Sequence, residues 1–280
     1  MTEVAGKTAF VTGGGSGIGR GLALALSAEG ASVVVADILR DRADEVAGEI
    51  RAGGGRALAV QCDVSDRMSV RRAHDAAKAA FGPVLLLFAN AGATSFDPID
   101  DCSDEIMDWI VAVNLMGVVH CAQEFLPAMI AAGQGHVMAT SSMAGLIPDL
   151  VGDHSHYAAA KLGAAGLILS LRRELEGTGV GTTVLCPGGV KTQMATSGSY
   201  RPERFGGPFQ RTRGAPSYHK VNLFRPPEEV ARMVLAAVRK NRAFVVTDDE
   251  YRQVFLDRYV APVIEAFDDV VAFDRANPPG

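Results

Sequence analysis

Residues 8–30 read TAFVTGGGSGIGRGLALALSAEG, and no other stretch constrains the fold so strongly. A short apolar, β-prone run ends in glycines, and the chain resumes with helical spacing from Ser16. Glycines allow a tight reversal between strand and helix and let bare backbone approach a ligand. A helix N-terminus facing such a turn attracts an anion, above all a pyrophosphate. The spacing is G-x-x-x-G-x-G through Gly13, Gly17 and Gly19, not the commoner G-x-G-x-x-G. A glycine turn alone also serves as a plain chain reversal, but here strand, loop and helix come in the order that binding requires.

The same alternation continues along the chain. Strands are expected at 8–13, 31–37, 57–64, 84–92, 135–142, 180–188 and 243–247. Helices are expected at 16–30, 41–55, 66–81, 103–115, 116–132, Tyr157–Glu176 and 227–240, the fourth and fifth running on through Asn114. Uninterrupted apolar runs such as VVVA and VLLLF suit strands covered on both faces. The pattern predicts an α/β fold, a single doubly wound parallel sheet with helices on both faces. No Ser/Pro-rich linker divides the 280 residues, so 1–280 reads as one domain. The irregular stretch 193–226, rich in Arg, Gly, Pro, Ser and aromatics, has the length of a lid over a substrate.

Composition narrows the class. A 48% hydrophobic, 21% charged chain of net charge −5 is that of a globular protein, with no sign of nucleic acid or membrane as a partner. The first residues carry no signal-peptide pattern, and VLLLFANAGA is too short to span a bilayer. A cytoplasmic location is expected. Cys62, Cys102, Cys121 and Cys186 form no C-x-x-C, so neither a disulfide framework nor a zinc site is expected.

Asp37 closes the second strand 20 residues beyond Gly17. A carboxylate there accepts hydrogen bonds from ribose hydroxyls and repels a 2′-phosphate, which favours NAD(H) over NADP(H). Arg40, close by, argues the other way, and Asp37 could also serve as a cap for the next helix. Further along, HSHYAAAKLG (154–163) places Tyr157 and Lys161 at i and i+4, on one helix face. A cation at that distance lowers the pKa of a phenol, ordinarily near 10, into a range useful for proton transfer. His154 and His156 form H-x-H with no third ligand at useful spacing, so no metal is expected. His156, directly before Tyr157, is the better candidate for touching substrate.

These residues, taken together, resemble the short-chain dehydrogenase/reductase family. Thr12-Gly13-x-x-x-Gly17-x-Gly19 matches its cofactor turn, with Ser16 and Ile18 inside it. Asp63-Val64 looks like its adenine-contacting pair and Asn90-Ala91-Gly92 like its N-A-G motif. Asn114, Ser142, Tyr157 and Lys161 match its catalytic residues, and Pro187-Gly188-x-Val190-x-Thr192 its P-G-x-V-x-T. The motifs stand in the family's order over residues 7–192. Two departures are visible. Alanine stands at position 89, where the family often has a second asparagine, and the Ser142–Tyr157 interval of 15 residues is longer than usual, so the loop between them must bulge and Ser141 could compete for the serine role.

The resemblance implies a Rossmann-type sheet, NAD as cofactor, and hydride transfer between a secondary carbinol and nicotinamide. It implies Tyr157 as acid/base, Lys161 as its cationic neighbour and a hold on the nicotinamide ribose, Ser142 as donor to the substrate oxygen, and Asn114 holding a water that links Lys161 to solvent. Thr192 and Val190 would meet the carboxamide. Segments 96–120, 201–208 and 251–267 resemble the branch with bacterial Cα-dehydrogenases, which oxidise benzylic alcohols of lignin-derived aryl ethers with NAD. Substrate contacts are expected from Ser142, Met143, His156, Gly189 and Met194, with Thr94, Phe96, Leu150, Phe205, Phe209 and Phe224 as apolar walls. A homodimer or homotetramer through the helices at 103–132 and 157–176 is also implied. A silent NAD sensor on the same fold, and an epimerase, are the competing readings.

Overall fold

In the computed structural model, residues 2–209 and 224–277 are described. Seven parallel strands form one sheet in the order β3-β2-β1-β4-β5-β6-β7: β1 Thr8–Thr12, β2 Ser32–Asp37, β3 Arg56–Gln61, β4 Val84–Ala89, β5 Gly135–Thr140, β6 Val180–Cys186 and β7 Phe244–Val246. The chain winds outward from β1 to β3, then returns to place β4 against β1. The order reverses between β1 and β4, and in open α/β sheets ligands bind at the carboxyl ends of strands at such a switch point.

The apolar runs are explained by what covers them. On one face Phe10, Val34 and Leu87 pack with Val70, Phe125 and Ile168, which belong to α3 (Arg67–Phe81), α5 (Gly117–Ala131) and α7 (Ser155–Glu174). On the other, Val11, Val33 and Phe88 pack with Leu22, Val46 and Val234, from α1 (Gly17–Ala28), α2 (Arg40–Ala52) and α8 (Pro227–Arg239). Successive strand residues alternate between two buried layers, so every position in β1, β2 and β4 is apolar or sealed.

Helix boundaries differ from expectation mainly at the ends, where caps decide. Asp66 caps α3 by accepting from the Met68 amide, and Ser103 caps α4 (Asp104–Val111) by accepting from Ile106. The segment 104–131 is one continuous helix, joined across Asn114 by a π turn at Ala112–Met116. By length and composition it could cross a membrane, yet half of its most apolar stretch is buried inside the fold. A short helix, α6 (Met143–Leu146), was not foreseen; Ser142 begins it and accepts from the Ala144 amide.

The stretch expected to be irregular carries 3₁₀ turns at Met194–Tyr200 and Glu203–Phe205, and residues 210–223 of it lie outside those described. Beyond β7 the chain forms α9 (Tyr251–Phe255), a π turn at Leu256–Val260 and α10 (Ala261–Ala276). No residue of α10 is buried, and Phe267 and Phe273 are about two-thirds exposed.

Candidate active site

A cleft of about 650 Å³ opens at the carboxyl ends of the strands, across the switch point. Its floor is the glycine turn. Gly13 and Gly17 have φ of 61° and 49°, a region that costs an L side chain about 1 kcal/mol or more. Gly19 is required for a different reason: a Cβ there would stand 2.0 Å from the Gly13 carbonyl and 2.8 Å from the Asn90 amide nitrogen. Thr12 binds this turn to the segment after β4, its Oγ1 accepting from the amides of Asn90 and Ala91 at 2.9 Å each. The Asn90 side chain donates to the Thr12 carbonyl and accepts from Thr140. Bare backbone at the start of α1, closed to any Cβ, fits a pyrophosphate.

The far end of the cleft is polar. Asp37 lies at the tip of β2, accepting from the amides of Gly15 and Leu39 at 3.0 Å each. Burial raises its pKa, while these amides and Arg42 oppose the rise. The concern attached to Arg40 dissolves, because Arg40 pairs with Asp44 in solvent at 2.7 Å. A basic group at this end is Arg42, whose guanidinium lies 4.4 Å over the Tyr200 ring and donates to its hydroxyl. Asp63 receives Arg204 at 2.7 Å, from 141 residues further along the chain. Arg42, Tyr200 and Arg204 were all missed. No local spacing marks them, since they arrive from other elements.

The reacting end holds the residues expected to do chemistry. Lys161 is wholly buried, its Nζ donating to the Thr140 carbonyl at 2.8 Å and lying 5.7 Å from the centre of the Tyr157 ring. Desolvation pushes the Lys161 ammonium down to about 7. The two serines differ in their hydrogen bonding. Ser141 donates to the Lys161 carbonyl at 2.7 Å, whereas Ser142 only accepts, from Ala144 at 3.1 Å, and keeps its proton for another partner.

Asn114 sits in the π turn, where its amide donates to the Ile110 carbonyl one turn back and to the Ala93 carbonyl, 2.9 Å each. Its oxygen accepts from Ala93. The side chain thus pairs a carbonyl near the break in the helix ladder and ties the helix to the segment following Gly92. A Cβ on Gly92 would lie 3.1 Å from the Asn114 oxygen and 3.3 Å from Lys161 Nζ, so both groups converge on that glycine.

The remaining expected residues are distributed unevenly. Ser16, Ile18, Val64, Pro187, Gly188, Val190 and Thr192 line the cleft, as do Met143, Gly189, Met194, Thr94, Phe96, Leu150 and Phe224. His156 does not. It is buried behind the wall, bonded through Nε2 to Ser95 Oγ at 2.6 Å, and the histidine that lines the cleft is His154. The reason is the spacing of two residues at the start of α7, which turns the rings to different sides. Phe205 and Phe209 are also not cleft walls; they pack with Trp109 and Tyr157 in a small core, Phe209 edge-on to Trp109 at 5.9 Å.

No third ligand stands at useful spacing from the H-x-H pair along the sequence, but the fold brings two ligand-type residues close to His156. Asp97 and Cys102 bring ligand-type atoms within 4.8 Å of those of His156.

Comparison with known proteins agrees with this geometry. A family model described as short chain dehydrogenase matches residues 7–201. The chain is 32% identical over 285 residues to a C alpha-dehydrogenase of Sphingobium sp. strain SYK-6, covering 100% of this chain and 91% of that protein. It is 33% identical over 246 residues to a cyclohexanol dehydrogenase of Acinetobacter sp. strain SE19, covering 88% and 92%. Among solved structures, a short chain dehydrogenase/reductase from Burkholderia phymatum in complex with NAD superimposes with a TM-score of 0.86 at 29% identity, covering 95% of this chain and 97% of that one.

Proposed function

We propose, from the premise that the chain belongs to the short-chain dehydrogenase family, that it is an NAD-dependent oxidoreductase acting on a bulky or aryl-bearing secondary alcohol or its ketone. The observation that carries this reading is the buried Lys161 ammonium facing the Tyr157 ring at the end of a cleft floored by the glycine turn. NAD is favoured by Asp37, a carboxylate in the cleft lining that would repel a 2′-phosphate, and by the NAD complex of the Burkholderia protein. A secondary alcohol fits the names of the Sphingobium and Acinetobacter relatives. Trp109, Phe96, Leu150 and Met143 give the substrate end an apolar wall suited to a large group.

When bound, the nicotinamide accepts or returns the hydride. The rest of the chemistry falls to the chain. Ser142 donates to the substrate oxygen and stabilises negative charge as it develops. Tyr157 takes the proton from that oxygen in oxidation and gives it back in reduction. Lys161 in its ammonium form favours the phenolate and holds the nicotinamide ribose, and Asn114 holds a water that passes the proton onward. The described residues 193–209 cover the substrate, tied to the cleft by Ser197, which accepts from the Thr94 amide at 3.0 Å.

The chain assembles as a homodimer or homotetramer through the helices around α5 and α7, where Ile130, Leu162 and Leu169 remain more than a third exposed. It resides in the cytoplasm, in keeping with its four free cysteines. The test is NADH formation against a panel of secondary alcohols. Turnover abolished in Tyr157→Phe, with NAD binding retained, is the expected result; NAD binding without turnover on any alcohol marks a sensor.

A further inference from the structure

The H-x-H pair before the tyrosine has no part in the chemistry above, yet both rings are buried and held. Consecutive residues of the loop after β4 grip them: Thr94 Oγ1 meets His154 Nε2 at 2.9 Å, and Ser95 Oγ meets His156 Nε2 at 2.6 Å. The imidazole of His154 lies flat on the Tyr157 ring, centroids 4.2 Å apart and planes within 7°. Phe96 covers its other face at 4.3 Å and 19°. His154 occupies the N-cap position of α7 but makes no side-chain cap bond there, so its ring is left for this stack. Asp153, just before it, has φ of 53°, a left-handed conformation that redirects the chain at this point.

We propose that His154 is a positioning residue for Tyr157: the Phe96–His154–Tyr157 column, pinned by Thr94, fixes the plane of the phenol in which its oxygen meets the substrate. This rests on the reading of Tyr157 as the acid/base. The first side-chain torsion places the phenol oxygen; the second leaves that oxygen on its axis and turns the ring plane, which sets the in-plane direction of the O–H and its lone pairs, and proton transfer needs both distance and direction. A flat ring stacked on the phenol restricts the second torsion, which a merely bulky neighbour does not. The long interval after Ser142 thereby acquires a use, because it delivers His154 to the tyrosine from outside the helix.

The test compares His154→Phe, which keeps a flat ring, with His154→Leu, which keeps bulk without one, and His154→Ala. All are assayed at saturating NAD on whichever panel alcohol wild type oxidises fastest, with Tyr157→Phe as control. Expected are at least tenfold lower kcat for Leu and Ala, kcat within about threefold of wild type for Phe, and an unchanged KM for NAD in all three. Equal kcat for Leu and Phe reduces His154 to packing and overturns the proposal, as does wild-type kcat in Ala; in either case a dead Tyr157→Phe leaves the acid/base reading standing. Full activity in Tyr157→Phe overturns both. Should Ala fail to fold, the Leu–Phe comparison decides alone.

Discussion

Lys161 places an ammonium in a buried position, donating to the Thr140 carbonyl. Desolvation lowers its pKa from 10.5 to about 7. A base whose folded-state pKa is depressed is favoured neutral in the native protein, so its stability is fully present above the unfolded pKa and is lost as pH falls through the folded one. Between pH 7 and 9 the unfolded chain keeps this proton and the native chain releases it, so stability rises with pH. Two pH units at 1.36 kcal/mol each, less the half-titrated start, give about 2 kcal/mol.

The perturbation is Lys161→Met, which retains length and volume and removes the charge. Urea denaturation of both proteins at pH 7 and pH 9 isolates the lysine, because every other titrating group is common to the pair. Wild type should gain about 2 kcal/mol relative to the variant on going to pH 9, roughly 0.7 M in midpoint at an m-value near 3 kcal/mol/M. Parallel responses would show that the ammonium is solvated or paired at both pH values, and the argument from burial would fail.

Three other outcomes are expected. Asp37→Ala should raise KM for NAD about tenfold or more and narrow the preference over NADP, since Arg42 then faces the ribose end without the carboxylate; unchanged discrimination in initial-rate assays counts against the cofactor assignment. Gly19→Ala should destabilise by about 3 kcal/mol or abolish NAD binding, because the new methyl meets the backbone of Gly13, whereas Gly48→Ala, whose methyl meets nothing nearer than Arg51 at 4.0 Å, should stabilise by about 0.5–1 kcal/mol in thermal or urea denaturation. His136, buried between Thr2 and Thr183, is held neutral by desolvation with its pKa near 3. Its stability is present above about 6.5 and lost as pH falls toward 3, so wild type should lose about 2 kcal/mol more than His136→Gln between pH 6.5 and 4.5.

Much of the fold was legible because its rules act over short distances. Continuous apolar runs announced strands sealed on both faces, and Gly13, Gly17 and Gly19 announced a turn that no side chain fits. Tyr157 and Lys161 are one helical turn apart, so their meeting needed only the helix. The cleft residues were legible in part for the same reason: each strand tip carries its own motif, and a parallel sheet brings all tips to one edge. Helix ends were less certain, because caps such as Ser142 and Asp66 compete with the preceding strand or loop for the same residues. The C-terminal helices were not foreseen, and α10 finds nothing to bury its apolar side chains against among the described residues.

Sequence by itself thus determined the doubly wound sheet, the phosphate turn and the Tyr–Lys pair, since periodicity, glycine sterics and helix geometry are properties of neighbours along the chain. Tertiary structure alone decided which histidine faces the cleft, that Arg42 rather than Arg40 stands by Asp37, that Arg204 reaches Asp63, and that Ser141 is tied up while Ser142 stays available. Apart from Arg42, five residues beyond Asp37, each of these depends on where the chain carries a side chain from a distant segment. Hydrogen bonds and ring contacts between distant segments fix that choice only once the core has set the loops' end points.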